Sequence, residues 1–211
     1  MANFQDYPLL ALRGRVVFPD TSVSFDVGRM ISLAAVKAAT EGDSKLFVCA
    51  QKESEKDEIG DDDVYTVGTV IKLKQIAKLP GSSLRLTAEG LFRAVARQVR
   101  RENGTFIATV EELKPVHGDP ALEEAYFRTS KEIVKDIGAT DGRISKEGIT
   151  ALEKCSSAEE FVNMTGHYMQ LRTEQKQELL ECRITVERLK KLDKILNDEL
   201  ELLRLERKIN A

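Results

Sequence analysis

Apolar and polar positions alternate along the first half of the chain and recur every three to four residues along the second. Leu84, Leu86 and Ala88 alternate with Arg85, Thr87 and Glu89, and Ile71 and Leu73 alternate with Val70, Lys72 and Lys74. A period of two is that of a strand with unlike faces. Turn chemistry separates these runs. Pro80-Gly81-Ser82-Ser83 suits one hairpin, and Asn103-Gly104 suits another, joining residues 93–101 to residues 106–113. Further strands are expected at residues 9–17, 23–27 and 46–51, with one helix at residues 29–40. Several short strands with tight hairpins predict a small, mostly antiparallel barrel or curled sheet.

The period changes near Pro115 and Pro120. Asp119-Pro120 supplies an N-cap and a first-turn proline for a helix reaching Ile137, with Gly138 as its expected stop. Ser145 can cap a short helix to Lys154, Ser157 and Glu160 form a capping box, and Thr173 can start another helix over residues 174–181. Residues 183–209 contain neither Gly nor Pro and read as one long helix. On it Leu189, Leu192, Leu196, Leu200 and Leu203 form one apolar stripe, and Ile195, Leu202 and Ile209 a second beside it. The first stripe is expected to close a helical core. The second is either packed in the same domain or left for another subunit, which makes Ile195, Leu202 and Ile209 candidates for self-association. The helix still runs where the sequence stops, as a connector within a larger machine would. The fold class is α+β: a β-rich lobe over residues 1–116, then a helical lobe over residues 117–211.

Composition narrows the class. The chain has 211 residues, with 42% hydrophobic, 32% charged and a net charge of -3, values near those of globular proteins. No apolar run reaches the roughly 18 residues of a membrane span, and no signal-peptide pattern opens the chain. Cys49, Cys155 and Cys182 are odd in number and far apart, which argues against a disulfide framework and points to the cytoplasm. Residues 53–63 hold seven acids against one Lys, and residues 72–101 hold eight Lys and Arg against Glu89 alone. The acidic run is expected to be a mobile solvated loop, and the basic strands a face complementing it. An RNA-binding role would use the same basic face, but Phe92 is the only aromatic there, too few for a stacking platform.

Catalytic patterns are missing. There is no Gly-x-x-x-x-Gly-Lys loop, His-Glu-x-x-His, Gly-x-Ser-x-Gly or Cys-x-x-Cys. His117 and His167 have no Cys within ten residues, so no metal site is expected. Glu123-Glu124 and Glu159-Glu160 lie in first turns of helices, where the helix dipole favours acids. The chain alone is expected neither to cleave protein nor to hydrolyse ATP.

One segment carries a family likeness. Tyr7-Pro8-Leu9-Leu10-Ala11-Leu12-Arg13-Gly14-Arg15-Val16-Val17-Phe18-Pro19, followed by Val27-Gly28-Arg29, resembles the opening of the Lon protease N-terminal domain. The likeness continues through Ala35-Val36, Ala50-Gln51-Lys52, Tyr65-Thr66-Val67-Gly68-Thr69-Val70 and Glu89-Gly90-Leu91-Phe92-Arg93-Ala94. It extends into the helical half at Lys176-Gln177-Glu178-Leu179-Leu180-Glu181 and Leu202-Leu203-Arg204-Leu205-Glu206-Arg207-Lys208-Ile209. The chain departs from the family pattern at Ala11 and Ser24, where Pro is expected, and at Asp20, where Gly is expected.

The resemblance implies a PUA-like β-barrel lobe followed by a helical bundle lobe. It implies a substrate-recognition and assembly domain of a homohexameric ATP-dependent serine protease that degrades misfolded and short-lived regulatory proteins. ATP, Mg and the Ser-Lys catalytic residues would then lie downstream, and none is expected in this chain. Implied partners are unfolded or damaged proteins and the other subunits. A stand-alone binding module of the same fold, with RNA as one possible ligand, is the alternative. Phe18, Pro19 and Val23 join two expected strands, and an exposed Phe18 there would offer unfolded chains an apolar contact. The competing expectation is that Phe18 caps the barrel core.

Overall fold

Residues whose two faces are both buried lose the alternating pattern, and this explains how the first half of the chain is built. A computed structural model describes residues 1–140 and 143–211. They divide into two units, Met1–Lys114 and Pro115–Ala211. The first contains β1 (Phe4–Leu12), β2 (Ser22–Val27), α1 (Met30–Thr40), β3 (Lys45–Ala50), β4 (Val67–Lys78), β5 (Leu84–Glu102) and β6 (Thr105–Glu112). Leu10 and Leu12 of β1 enter one core cluster with Phe25, Val36 and Leu86. Leu9 and Ala11 enter a second with Phe47, Val70 and Phe106. The apolar run of β1 therefore serves two cores.

Strands follow the order β2-β5-β4-β3-β1-β6, and β5 also pairs with β6, which closes the sheet into a barrel. Every pairing is antiparallel except β1 with β3, where Leu9 lies opposite Phe47 and Leu12 opposite Ala50. A parallel pair needs a crossover, and β2 and α1 lie within it. Two expected strands are in fact one. β5 runs unbroken for 19 residues, pairing with β2 through Leu84–Glu89 and with β6 through Ala94–Glu102. A register shift against β4, where Val70 faces Phe92 and Ile71 faces Gly90, lets it serve both. The first strand ends at Leu12 rather than at residue 17, and Gly14, at φ 59°, turns the chain away.

The acidic segment is exposed over residues 52–58, as a solvated loop requires, but it is anchored. Ile59 is buried in the second core cluster. Gln51 Nε2 donates to the carbonyls of Glu53 and Lys56, and Lys52 N donates to Asp63 O. One apolar residue and a folded backbone hold the charges in place.

The second unit contains α2 (Pro120–Thr140), α3 (Lys146–Lys154), α4 (Ala158–Tyr168), α5 (Thr173–Glu181) and α6 (Thr185–Asn210). Ser145 Oγ accepts from Gly148 N and Ser157 Oγ accepts from Glu160 N, so these two helices start where capping chemistry places them. α2, by contrast, continues through Gly138 to Thr140. A Cβ on Gly138 would lie 2.5 Å from Ile149 Cδ1, so this glycine admits α3 against α2 rather than ending the helix. Leu189, Leu192, Leu196, Leu200 and Leu203 of α6 are buried, as the first stripe requires. Arg188, fully buried, ties the unit together: Nε donates to Leu179 O, Nη1 to Glu159 and Nη2 to Asn163. Glu159 also accepts from Thr185 Oγ1. It is thus half of a buried ion pair, not only a first-turn acid.

Candidate functional site

Phe18, Pro19 and Val23 are all buried, Phe18 with 0% exposure, which corrects the expectation of an exposed apolar contact. The cause is Gly90. A Cβ there would meet Phe18 O at 2.2 Å, so only glycine lets this loop lie directly on β5. Asp20 N donates to Gly90 O, Gly90 N to Thr21 O, and Thr21 Oγ1 to Phe18 O. Thr69 Oγ1 of β4 donates to Val17 O at 2.6 Å. Asp20 takes a left-handed φ of 63°, the conformation in which glycine is at ease, and the departure from the family pattern leaves the turn intact.

On α6 the second stripe splits. Ile195 is only 8% exposed and belongs to the unit's own core, correcting its candidacy for self-association, whereas Leu202 and Ile209 are 48% and 82% exposed. Leu205, 55% exposed, lies on the same face.

The basic strands find acids on neighbouring strands, not in the acidic loop. Lys74 pairs with Glu89, Arg97 with Glu111 and Arg100 with Asp6. Hydrogen bonds from Arg100 and Thr109 hold the Asp6 carboxyl below the usual range. The loop acids engage Arg13 and Lys56 instead.

A cleft in the first unit gathers residues that lie apart in sequence. It has a volume of about 860 Å³ and runs between the end of β1, the strand β2 and the start of α1. Four guanidinium side chains line it: Arg13, Arg15, Arg29 and Arg85. Arg85 grips Asp26 across the β2–β5 pair, at 2.8 and 3.1 Å. Arg13 reaches Asp57 at 2.7 Å. Arg15 donates to Ser24 O and lies over the Phe25 ring. Arg29 donates to Gln51 Oε1 and Ala11 O. Burial, and then the charge of Arg13, lower the pKa of Arg29 from its ordinary value. The cleft was invisible to sequence reasoning because residues 13–15, 24–29 and 85 meet only when β2 pairs with β5. The available signal was the density of Arg around the first two strands. A second groove, lined by Met30, Ile31, Ile59, Lys56 and Arg101, shares Arg29 with the first.

A closed strand barrel bearing an arginine-lined cleft, followed in sequence by a helical unit, defines an α+β domain built of two units. Residues 6–198 match the family described as the ATP-dependent protease La (LON) substrate-binding domain. The Lon protease of Clostridioides difficile (strain 630) is 34% identical over 209 residues, 97% of this chain and 27% of its own length. That of Bacillus thuringiensis (strain Al Hakam) is 36% identical over 208 residues, 98% of this chain and 26% of its own. Among solved structures, the N-terminal domain of Mycobacterium avium complex Lon protease has a TM-score of 0.75 at 20% identity, covering 92% of this chain and 99% of that one. The Lon N-terminal domain protein from Xanthomonas campestris has a TM-score of 0.59 at 19% identity, covering 89% and 96%. The chain belongs to the Lon substrate-binding domain family. It spans about a quarter of the length of the curated relatives it matches.

Proposed function

We propose that this chain captures unfolded or damaged proteins for an ATP-dependent serine protease. Its family match over residues 6–198 to a substrate-binding domain is the observation that carries this reading. ATP, Mg and the catalytic residues would then belong to the part of the protease that this chain does not span. The other subunits of a homohexamer would be its second class of partner. The free thiols of Cys49, Cys155 and Cys182 fit a cytoplasmic setting, and burial pushes Cys49 up to about 12, where it stays protonated.

With Phe18, Pro19 and Val23 buried, the contact surface falls to the two grooves that share Arg29, and exposed Met30 in the second groove suits an adaptable apolar contact. The RNA reading is not favoured, because four of the eight basic residues that suggested it, Lys74, Arg85, Arg97 and Arg100, pair with Glu89, Asp26, Glu111 and Asp6. Fluorescence anisotropy with labelled denatured casein tests the proposal. Saturable binding that weakens on Met30→Ser, while a folded control protein does not bind, is the expected result. Equal signals for folded and denatured proteins would overturn it.

A further inference from the structure

We infer that the barrel cleft is an oxyanion site at the N-terminus of α1, and that its ligand is a carboxylate on an acidic polypeptide segment. α1 starts at Met30 with Arg29 in extended backbone at the N-cap, no side-chain cap and no acid in the first turn. The leading N–H groups of a helix attract anions when nothing else accepts from them.

Ser32 is the independent observation. It stands in that first turn, only 5% exposed, and lines the cleft. Its side chain opens into the cleft, and no other described residue hydrogen-bonds its hydroxyl. A hydroxyl that faces a cleft without a protein partner can donate to an anion seated there.

Charge points the same way. Arg13, Arg15, Arg29 and Arg85 line the cleft against Asp26 alone, and Asp26 is held in two bonds by Arg85. Arg13 takes Asp57 from the neighbouring groove. Arg15 and Arg29 bond only uncharged oxygens. Arg29 is half-buried and feels the repulsion of Arg13, which Asp57 offsets least of the three influences on it. An anion set among Arg15, Arg29, Ser32 and the helix start would relieve that repulsion and accept from the hydroxyl. Leu12, Phe25 and Val27 form apolar walls beside the charges, so residues flanking the acid have surface to cover. The choice of a polypeptide over a small ion rests on the substrate-binding reading above; the oxyanion site itself does not.

The test uses the whole chain, a labelled peptide containing Asp, its Asn counterpart, and inorganic phosphate, each titrated at low and high salt. The Asp peptide should bind about tenfold more tightly than the Asn peptide, as one charge-assisted contact allows, and the difference should shrink with salt. Ser32→Ala and Arg15→Gln should each remove most of that preference while melting temperatures hold. Arg128→Gln, on α2, should leave it unchanged. Equal affinity for Asp and Asn peptides, or a preference that survives both cleft variants, would overturn the site. Phosphate binding as tightly as the Asp peptide, with the same sensitivity to Ser32→Ala, would keep the oxyanion site and overturn the polypeptide as its occupant. Capture of denatured casein without any Asp preference would sink this inference and leave the substrate-binding reading standing. An Asp preference without casein capture would do the reverse.

Discussion

Asp193 shows how a single charge can work against its own fold. It lies on α6, where Asn197 Nδ2 donates to Oδ2 at 3.2 Å while Oδ1 is buried without a partner. Burial raises its pKa above the ordinary value, only partly opposed by Asn197. A carboxyl whose folded pKa is raised binds its proton more tightly when folded, so its contribution to stability is best at low pH and is lost as pH rises through the carboxylate range. Asp193→Asn should therefore raise the melting temperature at pH 7 and change it little near pH 3. Melts of both proteins at the two values check this; a lower melting temperature for the variant at pH 7 would reject it. Nothing in the local sequence marks this residue, since Asp193 reads as one more polar position on a charged helix. Arg188 escapes notice likewise, because its three acceptors come from α4 and the end of α5.

Elements were legible where their signals are local. Ser145 and Ser157 start helices by hydrogen bonds within three residues, and Asn103-Gly104 turns β5 into β6 with both residues at positive φ. They were illegible where a distant element decides. Gly138 sits where a stop is plausible, yet α3 packed against it makes it part of an interior contact. Gly90 is the sharper case, because it lies within β5, where glycine costs conformational entropy, and is explained only by the Phe18 carbonyl. Gly90→Ala must push that backbone away and break the Asp20 N to Gly90 O bond. It should destabilise the chain by about 2–4 kcal/mol, measured by urea unfolding. A loss below about 0.5 kcal/mol would mean that the loop relaxes freely.

At the scale of the whole molecule, the exposed face of α6 remains to be explained. Leu202, Leu205 and Ile209 are three large apolar side chains within about 60° of arc on the helix. We propose that this face meets another copy of the chain. Full burial of three such side chains contributes on the order of 5 kcal/mol before the cost of association, which supports weak pairing. Sedimentation should show a concentration-dependent average mass, and Leu202→Glu with Ile209→Glu should return it to that of a monomer without loss of helical content. A monomer at every concentration before mutation would reject the proposal.

The sequence by itself determined the α+β class, the change of period between the two halves, the capped starts of the short helices and the buried leucine stripe of α6. Each depends on chemical neighbours a few residues apart, and their periodicity survives in any packing. Tertiary structure alone decided which residues of an apolar stretch stay accessible. Phe18 became core because Gly90 admits its loop, Ile195 became core while Leu202 did not, and β1 lost its alternation because two cores claim its two faces. It also decided the cleft, whose four arginines come from separate parts of the chain. Burial and charge clustering depend on which strands pair, and that choice is made between residues many positions apart.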